Sequence, residues 1–279
     1  MIITDLPVNM TKKISSNQNH RNPGQLKKIL FTGFVLILTA SSCNSVFEKD
    51  HSYTSEEYQI LGMPDHKKVW TNDDYINANI TLSSLKMNDP LSLPRKKSKK
   101  SGELFNRMVN EKNLDFIHDT MFPLRTRAYT IQYYTQFQTQ MEQMYTIKHK
   151  GKIYYSEELL DLHIFSLLIH DRMLELGQII ERSDDEDVEG IRSGLQAVKY
   201  NYLKLIPRLL DEVSKTSQYS ADGLDRLSKA ISASLIKNQE WMTSGDKDSL
   251  ESVLKSAIKD SSSSGIKNNL KSAGEALNR

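Results

Sequence analysis

Residues 133–145 read YYTQFQTQMEQMY, a stretch with three tyrosines, one phenylalanine and two methionines but a single charge, Glu142. On a helix of about 3.6 residues per turn, Ile131, Tyr134, Met141 and Tyr145 share one seam, and Tyr133, Phe137 and Met144 lie on the seam beside it. Aromatic and methionine side chains at that spacing bury themselves against neighbouring helices. The stretch therefore predicts a long core helix, and the flanking sequence shows what packs on it.

Pro123 suits a first helical turn, where its missing amide proton costs no hydrogen bond, so the helix is expected from there to about Ile147. Upstream, a short helix is expected from Glu103 to Phe116. Downstream, the turn Lys148-His149-Lys150-Gly151 separates it from a second long helix that Ser156-Glu157-Glu158 opens, with acids near the positive end of the helix dipole. Leu162, Phe165, Ile169, Met173, Leu176 and Ile180 step by three or four, and Leu160, Ile164 and Leu167 widen the stripe, which places this helix at the centre. Ser183-Asp184-Asp185-Glu186 has the pattern of a capping box and predicts the start of a third helix. Ile191, Leu195, Val198, Tyr202, Leu205 and Leu209 give it a bundle seam, with a kink expected at Pro207. A fourth helix is expected from Ser220, burying Leu224, Leu227, Ile231 and Leu235. Beyond Trp241, a short amphipathic helix from Leu250 to Ile258 precedes a Ser- and Asn-rich tail expected to fray. The fold class is all-α: a four-helix bundle over residues 102–245, followed by residues 246–279 as a minor appendage.

The N-terminal segment carries the compartment signal. Lys27-Lys28 precede the twelve-residue apolar run ILFTGFVLILTA and then SSCN, the layout of a secretory signal peptide, and the run is shorter than the roughly 20 residues a membrane-spanning helix needs. Cys43, the chain's only cysteine, sits where the acylated cysteine of a bacterial lipoprotein stands, although Ala40 replaces the leucine common in such signals. An ordinary signal peptide beside a chance cysteine is the other reading. A single cysteine excludes an internal disulfide. Removing residues 1–42 takes away five of 37 basic and one of 35 acidic residues, leaving a net charge of −2, a balance that argues against a nucleic-acid partner. Residues 43–101 are polar, hold Pro64, Pro90 and Pro94 and show no sustained period, which predicts a disordered tether. It ends in the basic run Arg95-Lys96-Lys97-Ser98-Lys99-Lys100, either a solvated charge run or a contact for anionic lipid or glycosaminoglycan.

Catalytic signatures are thin. His163 and His170 are two turns apart, about 10 Å, too far to share one ion without other ligands. The acidic run Asp184 to Asp187 lacks the spaced pattern and central glycine of a calcium loop. The chain has no phosphate loop, dinucleotide fingerprint or hydrolase elbow. The expectation is a non-enzymatic surface binding module without cofactor or metal.

YTQFQTQMEQMYTIK (134–148) resembles the first long bundle helix of the fibronectin-binding lipoproteins of Borrelia spirochaetes, in which a YT-x-F-x-T-x-x-x-QMY run precedes a basic residue. Tyr134, Thr135, Phe137, Thr139, Gln143, Met144 and Tyr145 match it. The likeness continues more weakly through KIYYSEELLDLHIFSLLIH and returns at LSKAISASLI, covering roughly residues 123–242. The resemblance implies a virulence-associated lipoprotein at the outer-membrane surface whose helical bundle binds a host complement protease, the r subcomponent of the first component, and blocks the classical pathway. It also implies fibronectin binding by the N-terminal part. The family's inhibitory arginine, just after QMY, falls on Lys148, and the lysine of its Lys-Ala-Ile stretch on Lys229. Arginine to lysine loses the planar bidentate fork. The family's fibronectin-binding part is rich in Glu, Asp and Tyr and adds strands to its target; here it is matched only by Tyr53-Thr54-Ser55-Glu56-Glu57-Tyr58 and Asp73-Asp74-Tyr75. Two other readings stay open: an adhesin for fibronectin or glycosaminoglycan acting through the tether, and a structural lipoprotein without a host ligand.

Overall fold

From residue 124 onward, apolar seams at helical spacing become helices among the described residues. The computed structural model describes residues 50–184, 189–192 and 194–278. In order these form α1 (Ser55–Ile60), α2 (Asn72–Asn88), α3 (Gly102–Met108), a 3-10 helix (Glu111–His118), α4 (Leu124–Tyr145), a two-stranded antiparallel ribbon of β1 (Lys148–His149) and β2 (Lys152–Ile153), α5 (Ser156–Glu181), α6 (Glu189–Arg192), α7 (Leu195–Ser214), α8 (Ala221–Asn238), a second 3-10 helix (Gln239–Trp241), α9 (Ser244–Asp260) and α10 (Ser264–Leu277). The fold is all-α. Among the described residues no helix is long and apolar enough to cross a membrane. The signal segment and Cys43 lie outside the described residues.

YYTQFQTQMEQMY forms most of α4, with Pro123 at its N-cap. Ile131, Tyr134, Met141 and Tyr145 are buried, as is Met144, while Tyr133 on the second seam is half exposed. The wide apolar stripe of α5 lets it pack against α4, α7 and α8 at once. Its Leu160, Leu162 and Ile169 lose all their exposure. The four expected bundle helices are therefore α4, α5, α7 and α8. Ser220 caps α8, accepting from the Gly223 amide at 3.0 Å. Between α4 and α5 the ribbon turns through Lys150 (φ 50°) and Gly151 (φ 79°), both left-handed, as a two-residue hairpin loop of this kind requires.

Three sequence expectations need correction. Residues 50–101 are not a disordered tether. They belong with the bundle to one unit, Glu48–Arg279, and α2 packs along α4. Periodicity missed this segment because isolated aromatic anchors hold it down rather than a repeating seam. Tyr58, Trp70, Tyr75, Leu82 and Leu93 are at most 1% exposed, and each buried aromatic removes about 150–250 Å² from water. Their polar tips are satisfied: Tyr58 Oη donates to the Ser92 carbonyl, Tyr75 Oη to Met108 O at 2.7 Å and Trp70 Nε1 to Asp65 O at 3.0 Å.

The third long helix does not begin at Ser183. Its regular course starts at Leu195 after the four-residue α6, which carries Ile191, and it runs through Pro207 to Ser214. The tail does not fray: α10 lays Ile266, Leu270, Ala273 and Leu277 on α8, and α9 packs on α7. Polar composition hid a seam of spacing four, three and four. It is reinforced by Asn269 Nδ2 donating to Ser228 Oγ at 2.9 Å.

Candidate functional site

Where α4 ends, α5 begins and α7 ends, the elements leave an open groove of about 590 Å³. Its floor carries charge. Glu142 comes from the last turn of α4, His163 from the second turn of α5 and Arg208 from the residue after Pro207, and Glu142 and His163 are buried. Glu142 Oε2 accepts from Arg208 Nη1 at 3.0 Å, while His163 Nδ1 stands 3.4 Å from Glu142 Oε1 as an electrostatic neighbour outside hydrogen-bond geometry. Burial opposes the charge of Glu142. The two bases outweigh it and hold the carboxyl below its usual range. The rim carries Lys148 from β1, Lys215 from the end of α7, and Tyr219, whose hydroxyl donates to Glu212 Oε2 at 2.7 Å. Lys215 is engaged by Asp211 and Glu212, both at 2.8 Å. The Lys148 side chain is exposed and has no ion-pair or hydrogen-bond partner among the described residues.

Lys229 is exposed too, midway along α8, but it does not line this groove. The structure thus places the two sequence-derived lysines on separate elements and not in one cleft, and Cys43 lies outside the described residues. Sequence reading missed Glu142 and Arg208. The signal was present in Glu142, the only charge in an otherwise uncharged seam stretch.

The basic run at 95–100 is largely spent inside the fold. The Arg95 guanidinium lies 4.7 Å from the Tyr154 ring centroid. Lys96 Nζ pairs with Asp161, and its backbone amide donates to Glu158 Oε1 at 2.7 Å; Lys97 Nζ is 4.0 Å from Glu157 and Lys100 Nζ reaches Ser52 O at 3.3 Å. Arg226 of α8 closes the same acidic cluster through Asp161 and Glu157. The acids that cap α5 therefore clamp the 95–100 segment to the bundle. Of the two histidines, His170 Nδ1 meets Ser166 O at 2.8 Å, whereas His163 faces Glu142 with neither ring nitrogen hydrogen-bonded. Among the described residues no group of three His, Cys, Asp or Glu could hold a metal ion.

Compared with known proteins, the chain matches no family model, no curated protein and no solved structure.

Proposed function

We propose that this chain is a lipid-anchored surface protein, attached through Cys43, whose helical unit binds a host complement protease, the r subcomponent of the first component, without catalysing a reaction. The observation that carries the reading is the placement of Lys148. It follows the QMY seam, stands in the hairpin that joins α4 to α5 and is unpaired at the rim of an open groove. A cation held on a rigid scaffold matches the acid-lined cleft of a protease at little entropic cost. Lys229, away from the groove, would supply a second, separate point of contact.

Surface plasmon resonance of residues 48–279 against the r subcomponent tests the reading, with Lys148→Ala and Lys229→Ala made singly and together. The protein must begin near residue 48, because cutting at 102 would remove Tyr58, Trp70 and Tyr75 from the core. The double variant is expected to bind at least tenfold more weakly, about 1.4 kcal/mol. Absence of binding by the parent protein at micromolar concentration ends the reading. The adhesin alternative draws less support. Strand addition needs free extended chain, yet Tyr58 and Tyr75 are buried in helices and most of the basic run is internally engaged.

A further inference from the structure

A second cavity lies on the other side of the tyrosine seam, between the start of α2, the first 3-10 helix and the start of α4, with a volume of about 450 Å³. That is within the range of small-molecule sites. Trp70, Phe116, Phe122 and Tyr134 give it aromatic walls, and Val69 and Phe122 stand half exposed at its mouth. Among these rings sits the guanidinium of Arg127, 7% exposed, and the exposed Lys112 also lines the cavity from the first 3-10 helix. Its Nη1 donates to Ile117 O at 2.7 Å; Nε and Nη2 have no hydrogen-bond partner, and no carboxylate among the described residues comes within ion-pairing distance. A buried guanidinium without a counter-charge is costly to keep, and most proteins pair it.

One further feature of the same wall favours an anionic oxygen. Thr71 and Asn72 begin α2 at the cavity, where Asp74 already answers the positive end of the helix, its Oδ2 accepting from Thr71 N at 2.8 Å. Asn72 has a buried side-chain oxygen without a donor, and an amide can turn its nitrogen toward an incoming oxygen. Asp115 and Asp119 also line the cavity, and neither reaches Arg127. They repel a doubly charged phosphate more than a single carboxylate.

We propose that this cavity binds a small monocarboxylate with an apolar body, its carboxylate on Arg127 and its body between Trp70, Phe116 and Phe122. The site is separate from the groove at Lys148 and does not depend on complement binding.

Isothermal titration calorimetry of the full chain with 4-phenylbutanoate and with 4-phenylbutan-1-ol tests it, since the two share a body and differ in the charged end. The acid is expected to bind at least tenfold more tightly than the alcohol. Arg127→Met should erase that difference. Phe122→Glu, at the half-exposed mouth and outside the core, should weaken the acid at least tenfold while the circular dichroism spectrum is unchanged. The proposal is overturned by no binding of the acid at about 1 mM, by equal affinity for acid and alcohol, or by Phe122→Glu binding like the parent. If Arg127→Met does not fold, the acid-to-alcohol ratio and Phe122→Glu decide.

Discussion

Two of the cavities beside α4 contain an arginine, and they treat it differently. In the groove at the hairpin end, Arg208 is half exposed and bonded to the buried Glu142, which is also flanked by His163. In the aromatic cavity Arg127 is more deeply buried, and no carboxylate among the described residues, Asp115 and Asp119 of the lining included, comes within ion-pairing distance of it. The first arrangement neutralises itself and ties α4 to α5 and α7. The second leaves a charge unanswered by the chain, and the cost of keeping it falls on a fold that could have used methionine there. A self-paired charge is explained by architecture. An unpaired one at this depth asks for a ligand.

The comparison holds only if the aromatic cavity is an integral part of the fold, and Trp70 decides that. Trp70→Ala removes the largest of the fully buried side chains from a segment without a seam of its own, and the expected loss is about 3–5 kcal/mol in urea unfolding. A loss under about 1 kcal/mol would mean that residues 50–101 are a detachable strap and that the cavity is incidental.

That segment also marks the limit of what the sequence makes legible. The helices α4, α5 and α8 are readable because each repeats a buried position every three or four residues for at least four turns. Residues 50–101 use Tyr58, Trp70, Tyr75 and Leu93 at irregular intervals, and Tyr58, Tyr75 and Leu93 are satisfied by partners tens of residues away, such as Leu93 N bonded to Tyr155 Oη at 2.9 Å. No local period records such pairing. The tail was misread for the opposite reason, because serine and asparagine dominate its composition while four apolar residues carry its packing. Of the site residues, Lys148 is legible as the cation beyond QMY. Arg127 could have been found: it is four residues before Ile131, on the same seam as Tyr134 and Tyr145, where a charge is out of place. Its lack of an acid partner is a property of the fold and cannot be read from the seam.

A third buried charge lies between the two arginine cases. Asp171 of α5 is bonded by Asn238 Nδ2 at 2.7 Å and by Ser234 Oγ, which also meets Tyr202 Oη at 2.9 Å, so it has hydrogen bonds but no direct ion pair. Desolvation dominates, and its pKa is pushed up to about 6 despite those bonds and the nearby Lys237. An acid whose folded pKa is raised stabilises the protein fully below its unfolded value near 3.8 and loses that contribution as the pH rises through about 6. The shift corresponds to a contribution on the order of 3 kcal/mol. His170, whose imidazole is held below its usual range by burial, acts in the opposite sense over part of the same window. The informative quantity is therefore the stability of the parent relative to Asp171→Asn, which should increase as the pH falls from 8 to 4. A difference that is flat across that range would show Asp171 to be ionised and fully compensated.

The smallest effects separate the two arginines most sharply. Glu142→Gln keeps the shape of the groove floor but removes the charge that Arg208 and His163 face. Because Glu142 is buried while Arg208 is half in water, the expected loss is about 2 kcal/mol, between the values for exposed and fully buried pairs. As the depressed pKa of Glu142 requires, this difference should be present at neutral pH and vanish as the pH falls through its folded pKa, below the usual glutamate range. Arg127→Met should behave otherwise. It gives up one charged hydrogen bond to Ile117 O, a loss of about 2 kcal/mol, and at the same time removes a buried charge that has no counter-ion. The two terms offset, so the unfolding free energy should stay within about 1 kcal/mol of the parent or rise above it. A loss from Arg127→Met as large as that from Glu142→Gln would mean that Arg127 is held for stability, and the contrast between the cavities would then carry no functional weight.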